Sequence, residues 1–478
     1  MRRLATIIWH MLRWGIALRN LAASCNTIKS DNTKPQKSMM QHVDNSKTGL
    51  KMIQLTPGAG TMYCGNCLRD NALVAQWSRS GHDVCMVPLY LPLTLDEPDQ
   101  SEHVPVFFGG INVFMSHKIP WLWRFMPQRI RKLLDSRTFL KSICGKVSKT
   151  NPAEVGALAV SMLQGEHGQQ RRELQELVDW LQKEHKPDVI LFSNALLLGA
   201  HNRIKKETGA KTVCFLTGED TFLDKLPEPH RSQAWQLVRE HTKQVDLLIA
   251  PSRYYAELMS ERLELPQIHV VYNGINTEGF DDDTVPLETN KPPTLGFFAR
   301  MCADKGLDIL IDAFIEIRKR GSIPALQLKI GGNLNPWNEK WIKTLGQKLK
   351  SAGLWQDVSF HPNVERAEKI QFLRSLDVFS VPAVCDEPFG FYVIEALVAG
   401  VPVVLPAKSA FPELVEKSGG GMLYSPEDHS ALVETLEQIF ADESKRKPLG
   451  TTGRKNALDF FSVKRAAQET LDLIESVA

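Results

Sequence analysis

Two carboxylates eight positions apart belong to the stretch of sequence with the clearest potential for chemistry. Residues 385–404 read CDEPFGFYVIEALVAGVPVV, with Glu387 beside a proline and glycine loop and Glu395 in a helix predicted to begin near Phe391. A loop that opens a helix presents unpaired backbone N–H groups and the positive end of the helix dipole, which suit phosphate. Carboxylates beside it accept hydrogen bonds from hydroxyl groups. The stretch therefore predicts a site that recognises phosphate and a polyol together.

A second candidate is the glycine-rich loop TPGAGTMYCGNC at residues 56–67, where Gly58 and Gly60 follow an apolar run. The loop is compatible with a nicotinamide cofactor, and a nicotinamide-dependent oxidoreductase is therefore an alternative function. It lacks the full G-x-G-x-x-G pattern and a clear ribose-binding acid at the expected distance.

Four potential metal ligands follow the spacing C-x2-C-x14-H-x2-C: Cys64, Cys67, His82 and Cys85. This spacing is compatible with zinc. However, the predicted intervening helix of about fifteen residues would span roughly 22 Å and hold the ligands apart. We therefore favour ordinary packing of Cys64 and Cys67 at the loop and helix entry over zinc, and a thioredoxin-like role is less favoured still.

Composition limits the classes of protein that the chain can belong to. Its 478 residues exceed one ordinary core, so two or three domains are expected. The net charge of +2 indicates no nucleic-acid partner. The eight scattered cysteines do not resemble a disulfide framework and favour free thiols in a reducing, cytoplasmic compartment.

Two basic segments leave membrane association open. Residues 1–24 join arginines to a broken apolar stretch, and residues 117–149 hold nine Lys or Arg against one acid, Asp135, with interleaved aromatics. Both compositions suit peripheral contact with a membrane surface. For residues 1–49 we favour an untidy extension, and the polar composition of residues 26–49 predicts disorder there. Near 111–165 we favour an ordinary helical insertion.

Short apolar runs alternate with helical patterns from Lys51 onward, which predicts an α/β protein with parallel sheets. The alternation stops at an acidic, proline-bearing linker, 281–293, and then restarts. We therefore predict two doubly wound Rossmann-like domains, 50–280 and 294–460, that face a central cleft. A C-terminal helix, 461–478, is expected to pack back across the domains.

Four ordered motifs carry a resemblance to a known family. The stretch EPFGFYVIEALVAGVPVV is similar to the E-x7-E signature of retaining GT-B glycosyltransferases of family 4, the group 1 glycosyl transferases. The other motifs are FFARMCADKGLDILIDAF (297–314), IAPSRYYAELM with VVYNGI (249–259 and 270–275), and LKIGG (328–332). The resemblance covers about residues 50–478 and implies the GT-B fold, with an acceptor-side N-terminal domain and a donor-binding C-terminal domain.

The resemblance also assigns roles to individual residues. It implies that Glu387 contacts hydroxyls of the transferred sugar, that Glu395 holds the nucleotide ribose, and that Arg300 and Lys305 neutralise the departing diphosphate. Two cations beside a helix N-terminus stabilise such a leaving group without a metal ion. We therefore predict Glu387, Arg300 and Lys305 as catalytic residues and expect neither a metal nor a cofactor.

Backbone groups complete the expected donor site. By resemblance, the N–H groups of Phe389, Gly390 and Phe391 line the phosphate and sugar. Gly58 and Gly60 are expected to let the backbone approach the donor from the opposite side of the cleft.

The sequence departs from the family on the acceptor side. Many members carry a histidine where this chain has Gly218, Glu219 and Asp220 after a predicted strand. A carboxylate there could orient the acceptor hydroxyl or act as base, and we favour Glu219 in that catalytic role. The alternative is an N-cap for the following helix, which is equally favoured for Asp220.

The predicted function is transfer of a hexose from a nucleotide sugar to an acceptor hydroxyl with retention of configuration, as in carbohydrate biosynthesis. The acceptor is a carbohydrate, a lipid-linked compound or a small molecule, and the sequence does not choose among them. A catalytically silent sugar-nucleotide-binding protein is the other alternative, although both diphosphate cations are present.

Overall fold

A computed structural model describes residues 49–58, 64–108, 152–280 and 291–477 of the chain. The described residues contain two six-stranded sheets whose paired strands all run parallel. We call the parts around the first and second sheets the N-terminal and C-terminal domains. The predicted α/β class with two doubly wound domains is confirmed.

The first sheet has the strand order β2-β1-β3-β4-β5-β6. Its strands are β1 Lys51–Thr56, β2 Asp83–Pro88, β3 Val189–Phe192, β4 Lys211–Phe215, β5 Leu247–Ala250 and β6 His269–Val270. All residues of β3 and β5 are buried. Continuous apolar runs of this kind form the centre of a parallel sheet because helices cover both faces.

The second sheet has the order β12-β11-β10-β7-β8-β9. Its strands are β7 Thr294–Phe298, β8 Gln327–Gly332, β9 Val358–Pro362, β10 Val378–Ser380, β11 Val403–Pro406 and β12 Gly421–Tyr424. This is the strand order of a dinucleotide-binding fold, in which the first and fourth strands are neighbours at the point where the order reverses.

Helices cover both sheets. Those of the N-terminal domain are α1 Gly65–Arg79, α2 Pro152–Leu163, α3 Arg171–Trp180, α4 His201–Thr208, α5 Glu219–Leu223, α6 His230–Thr242 and α7 Arg253–Leu263. Those that follow the second sheet's first strand are α8 Leu307–Arg320, α9 Glu339–Ser351, α10 Arg366–Arg374, α11 Phe391–Val398, α12 Phe411–Ser418, α13 His429–Ala441, α14 Glu443–Phe460 and α15 Val463–Val477.

Some predicted element boundaries were wrong. The amphipathic pattern of residues 169–184 predicts one helix, whereas the α-helix ends at Trp180 and continues as the π-helical turn Leu181–His185. The apolar run DVFSVPA at 377–383 predicts a strand, whereas the strand is only Val378–Ser380, since the chain then leaves the sheet. The sequence reasoning missed α12 and β12. The expected extension, basic segment and most of the linker lie outside the described residues.

The C-terminal helix α15 packs on the N-terminal domain. Val463, Ala467 and Leu471 are buried in the same core as residues of the first sheet. The indole Nε1 of Trp77, on α1, donates to the carbonyl of Ala467 at 3.0 Å. The end of the chain therefore holds the helix that follows the glycine-rich loop.

A carboxylate of the C-terminal domain caps a helix of the N-terminal domain. Glu413, on α12, accepts hydrogen bonds from the backbone N–H groups of Arg253 and Tyr254, both at 3.0 Å. It also accepts from the hydroxyl of Tyr272 at 2.7 Å. The first N–H groups of a helix have no partner within the helix, so this contact satisfies α7 and joins the domains.

Replacing Trp77 with alanine should lower the free energy of unfolding by about 3–5 kcal/mol, because it opens a cavity between α1 and α15. Trp77 is fully buried, whereas Trp337 is 67% exposed and provides the control. Trp337→Ala should change stability by less than about 0.5 kcal/mol. Urea denaturation followed by circular dichroism measures both, and equal effects would contradict the packing role of Trp77.

Candidate active site

The candidate site lies at the reversal point of the second sheet. Strands β7 and β10 pair there, so the loops that follow them begin side by side. The backbone N–H groups of Val384 and Cys385 donate to the carbonyl of Asp304, which ties the second loop to the first. Sheets of this kind bind ligands in the crevice at the carboxyl ends of such strands.

These two loops bring Lys305 and Glu387 together. The Lys305 ammonium forms an ion pair with Glu387 Oε2, and the hydroxyl of Tyr392 donates to the same oxygen at 2.7 Å. Lys305 is only 6% exposed. A buried ion pair is stable only when further hydrogen bonds satisfy its charges, and Tyr392 supplies one. Burial, and then the negative charge of Glu387, raise the pKa of Tyr392.

Arg300 belongs to the loop that joins β7 to Lys305. Its side chain is exposed, at the start of that loop. The positive charge of Arg300 opposes the rise in pKa that burial causes in Cys385 and Tyr392, which places it within electrostatic reach of both. An exposed guanidinium in the same loop as the buried ammonium group of Lys305 can form charge-assisted hydrogen bonds with an anionic ligand.

Gly390 lets the loop turn directly into α11. Its φ of +100° is unfavourable for other residues, and a Cβ there would lie 3.3 Å from the ring of Phe411. Gly390 is the N-cap of Phe391–Val398. The N–H groups expected to line a phosphate, those of Phe389, Gly390 and Phe391, therefore stand at a helix N-terminus.

Glu395 lies further along α11, in its second turn. Its Oε1 accepts a hydrogen bond from the ammonium group of Lys369, on α10, at 2.7 Å. The same ammonium group donates to Oδ2 of Asp96 at 2.6 Å. Asp96 belongs to the N-terminal domain, so the predicted ribose ligand is linked to both domains.

Three small residues of the N-terminal domain face the loop that carries Glu387. A Cβ on Gly218 would lie 3.2 Å from Pro388, and one on Gly65 would lie 3.3 Å from the ring of Phe391. The hydroxyl of Ser252 donates to the carbonyl of Pro388 at 2.6 Å. The N-terminal domain thus encloses the loop that carries Glu387.

Gly58 has a conformation that requires glycine. Its φ is +75°, and a Cβ there would lie 1.8 Å from the carbonyl oxygen of Leu91. The expected approach of Gly58 to the donor stays a prediction, and Gly60 lies outside the described residues.

Glu219 joins the loop that follows β4 to the loop that follows β3. It is 3% exposed and accepts backbone hydrogen bonds from Ala195 at 2.8 Å, Thr217 at 2.7 Å and Gly218 at 3.0 Å. Burial raises the pKa of this carboxyl group, and these N–H groups oppose the rise. Its role as acceptor-side base stays a prediction, and the contacts observed here hold the loop.

Asp220 is inside α5 rather than at its N-cap, which is Gly218. The N-cap alternative for Asp220 is therefore wrong. Its Oδ1 accepts from the hydroxyl of Tyr255 at 2.7 Å, and the same hydroxyl lies 3.1 Å from Glu219.

The two cysteines of the C-x-x-C stretch stand at the N-terminus of α1. Cys64 is the N-cap, and Cys67 is buried one turn later. A hydrogen bond from the Cys67 thiol, aided by the backbone N–H groups of Cys67 and Asn66, lowers the pKa of Cys64 to about 7. The same interaction raises the pKa of Cys67. Cys67 lies in the apolar core that α1, the first sheet and α15 share, and Cys64 packs against it, which agrees with the packing that the sequence favoured.

The zinc alternative fails because the helix α1 separates the two cysteines from His82. Cys64 and Cys67 lie at the start of the 15-residue helix α1, and His82 lies beyond its end, where its Nδ1 accepts from Leu50. Among the described residues, no group of three or more His, Cys, Asp or Glu could hold a metal ion. The expectation that the reaction needs no metal stays a prediction.

Sequence reasoning missed several residues of the site. Tyr392 lies inside the motif itself, where a polar group on a buried helix could have suggested a role. Lys369 and Asp96 belong to no motif and lie far apart in sequence. Ser252 begins the stretch SRYYAELM, but nothing in that stretch indicates a contact with Pro388.

Two families of known proteins match this chain. The family described as Glycosyl transferases group 1 matches residues 281–456, and the one described as Glycosyltransferase Family 4 matches residues 151–278. These matches together cover well over half of the sequence. The chain belongs to the group 1 family of glycosyltransferases.

Similar solved structures have the same two-domain fold. Sucrose-phosphate synthase from Thermosynechococcus elongatus has a TM-score of 0.64 and 16% identity, covering 89% of this chain and 98% of the other. Anabaena HepE in complex with UDP-glucose has a TM-score of 0.59 and 18% identity, covering 89% and 100%. At these identities the likeness establishes the GT-B fold.

Curated relatives match over parts of the chain. Mannosylfructose-phosphate synthase of Agrobacterium fabrum is 28% identical over 37% of this chain and 39% of its own length. A GDP-mannose-dependent alpha-(1-6)-phosphatidylinositol monomannoside mannosyltransferase of Mycolicibacterium smegmatis is 24% identical over 61% and 77%. The matched region spans 39% to 56% of the full length of three curated relatives, among them the Agrobacterium fabrum enzyme.

Membrane contact through residues 1–24 or 117–149 stays a prediction, because both segments lie outside the described residues. No helix among the described residues combines the length and the apolar character needed to cross a membrane. The basic segment at 117–149 lies outside them.

The Cys64 thiol should react with iodoacetamide with a midpoint near pH 7, because its pKa is lowered to about 7 from 9.0. Thiolate is the reactive form, so the rate rises as the group loses its proton. Mass spectrometry of the peptide that contains Cys64, sampled from pH 5 to 10, measures this midpoint. Cys67→Ala should move it upward, since the hydrogen bond is lost. A midpoint unchanged by that substitution would contradict the assigned cause.

Proposed function

We propose that the protein transfers a hexose from a nucleoside-diphosphate sugar to an acceptor hydroxyl, with retention of anomeric configuration and without a metal ion. The single observation that carries this proposal is the grouping of Arg300, Lys305 and Glu387 beside the N-terminus of α11. Two cations and a row of helix N–H groups match the charge that develops on a departing diphosphate.

The carboxylates suit the remaining parts of such a donor. Glu387 has one oxygen held by Lys305 and Tyr392, which fixes the carboxylate for hydrogen bonds from sugar hydroxyls. Glu395, further along the same helix, can accept from ribose hydroxyls. The order sugar, diphosphate and ribose therefore follows the order Glu387, helix N-terminus and Glu395.

Names of relatives support a nucleotide-sugar donor. One curated relative is described as GDP-mannose-dependent, and Anabaena HepE was solved with UDP-glucose. They do not agree on the nucleotide, so base, sugar and acceptor are left to experiment. Acceptors in lipid-linked, carbohydrate and small-molecule form remain candidates.

Nucleoside diphosphates should stabilise the protein against heat. A thermal-shift panel of UDP, GDP, ADP and their sugars, with NAD and NADH beside them, should show a rise in Tm for one nucleotide series. A ligand at 100 times its dissociation constant contributes about 2.7 kcal/mol to stability, which a Tm shift of several degrees would report. Stabilisation by NAD or NADH alone would exclude the proposed function.

Replacing Glu387 with glutamine should reduce kcat for transfer by about 100-fold or more, because the amide cannot reproduce the charge beside Lys305. Asp386→Asn is the matched control, since the adjacent Asp386 pairs with Lys408 and Ser409 on the exposed side. The assay is product formation with the donor found in the thermal-shift panel.

The same assay tests the stereochemistry and the metal requirement. The anomeric coupling constant of the product should equal that of the donor, and EDTA should leave the rate unchanged. Full activity of Glu387→Gln, with circular dichroism identical to the wild type, would refute the role of Glu387. If the protein binds a nucleotide sugar tightly but forms product from none of the donors, it is instead a catalytically silent binding protein.

A further inference from the structure

Lys369 connects two carboxylates that come from different domains. Its ammonium group lies 2.7 Å from Glu395 Oε1 and 2.6 Å from Asp96 Oδ2. The side chains of Lys369, Glu395 and Asp96 are 9%, 16% and 8% exposed. The carboxylate assigned to the ribose is thus joined to the N-terminal domain by a single buried ammonium group.

The charges of this triad favour a fixed arrangement. Burial disfavours the charged form of Lys369, but the negative charges of Glu395 and Asp96 outweigh it and raise the pKa of the ammonium group. The triad has one positive and two negative charges. Glu395 therefore remains a stronger hydrogen-bond acceptor than it would be in an ion pair with Lys369 alone. Without Lys369, the largely buried carboxylates of Glu395 and Asp96 would repel each other.

A hydrogen-bond count shows how the triad can serve a ligand. Lys369 engages Oε1 of Glu395, whereas Oε2 has no hydrogen-bond partner within the part of the chain that the structure describes. An ammonium group has three donors, and two of them are used here. The orientation of Glu395 is therefore set by one oxygen, and the other oxygen can accept from a hydroxyl.

A neighbouring ion pair also crosses the domains but does not contact Glu395. Arg366, one turn before Lys369, lies 3.4 Å from Oε1 of Glu97. Arg366 also donates to the carbonyls of Asn276 and Glu278, at 2.8 and 2.9 Å. Glu97 therefore has the same loop and the same kind of partner as Asp96, which makes it a matched control.

We infer that Lys369 and Asp96 are positioning residues for the donor ribose, and that Asp96 completes the nucleoside end of the donor site from the opposite domain. This inference rests on the proposed function. Lys369 holds Glu395 in the orientation that accepts a ribose hydroxyl, and Asp96 holds Lys369 in turn. Nucleotide recognition then depends on a residue of the acceptor-side domain.

The test is discrimination between ribose and deoxyribose. The dissociation constants of the nucleoside diphosphate found in the thermal-shift panel, and of its 2′-deoxy and 3′-deoxy forms, are measured by titration calorimetry. The wild type should prefer the ribose form over at least one deoxy form by about 10- to 100-fold, as expected for a hydrogen bond to a carboxylate. Asp96→Asn and Lys369→Met should reduce that preference to about threefold or less.

Matched variants separate positioning from a structural role. Glu97→Gln should keep the wild-type preference, and Lys369→Arg, which retains the charge, should keep more of it than Lys369→Met. In turnover, Asp96→Asn should raise KM for the donor while kcat changes by less than about threefold. A variant that merely destabilises the fold would lower the active fraction and leave the ribose preference unchanged.

The outcomes are distinguishable from failure of the proposed function. If the wild type binds a nucleoside diphosphate and transfers sugar, but Asp96→Asn and Lys369→Met keep the full ribose preference, the positioning role is overturned and the function stands. Equal loss of preference in Glu97→Gln would also overturn it, since the effect would then belong to the whole loop. If the wild type binds no nucleoside diphosphate, both proposals fall.

Discussion

The candidate site depends on a buried ion pair, Lys305 with Glu387, that exists because two strands distant in sequence are neighbours. Lys305 follows β7 and Glu387 follows β10, and these strands pair where the sheet order reverses. Taking both charges from water is costly, so their contact and the hydroxyl of Tyr392 must compensate for that cost. The pairing of β7 with β10 therefore brings these two loops together.

Several polar contacts join the domains at helix ends. Glu413 caps α7, and Ser252 donates to the carbonyl of Pro388. Gly218 and Gly65 allow close approach to the loop that carries Glu387 because neither has a side chain. The N-terminal domain thus shapes the candidate site, and the triad of Lys369, Glu395 and Asp96 adds a further contact between the domains.

Much of the fold was predictable from the sequence, for physical reasons. Runs such as Val189–Phe192 and Leu247–Ala250 are apolar throughout, as burial on both faces of a parallel sheet requires. The boundaries were less predictable, since the chain leaves β10 after Ser380 to form the site although Val381–Ala383 has apolar character. The sequence analysis missed α12 because its eight residues, FPELVEKS, form only about two turns and so give little periodic pattern.

The sequence by itself determined the class of fold and the loop that opens α11, and it singled out Glu387, Glu395, Arg300 and Lys305 as candidates, because each belongs to one local strand, loop and helix pattern. Only the tertiary structure decided which side chains contact Lys305, Glu387 and Glu395. The partner of Glu395 lies 26 residues away, and the next member of the triad lies a further 273 residues from Lys369. No local pattern records such contacts, because they arise when separate sheets bring distant loops into one buried space and the charges there must pair.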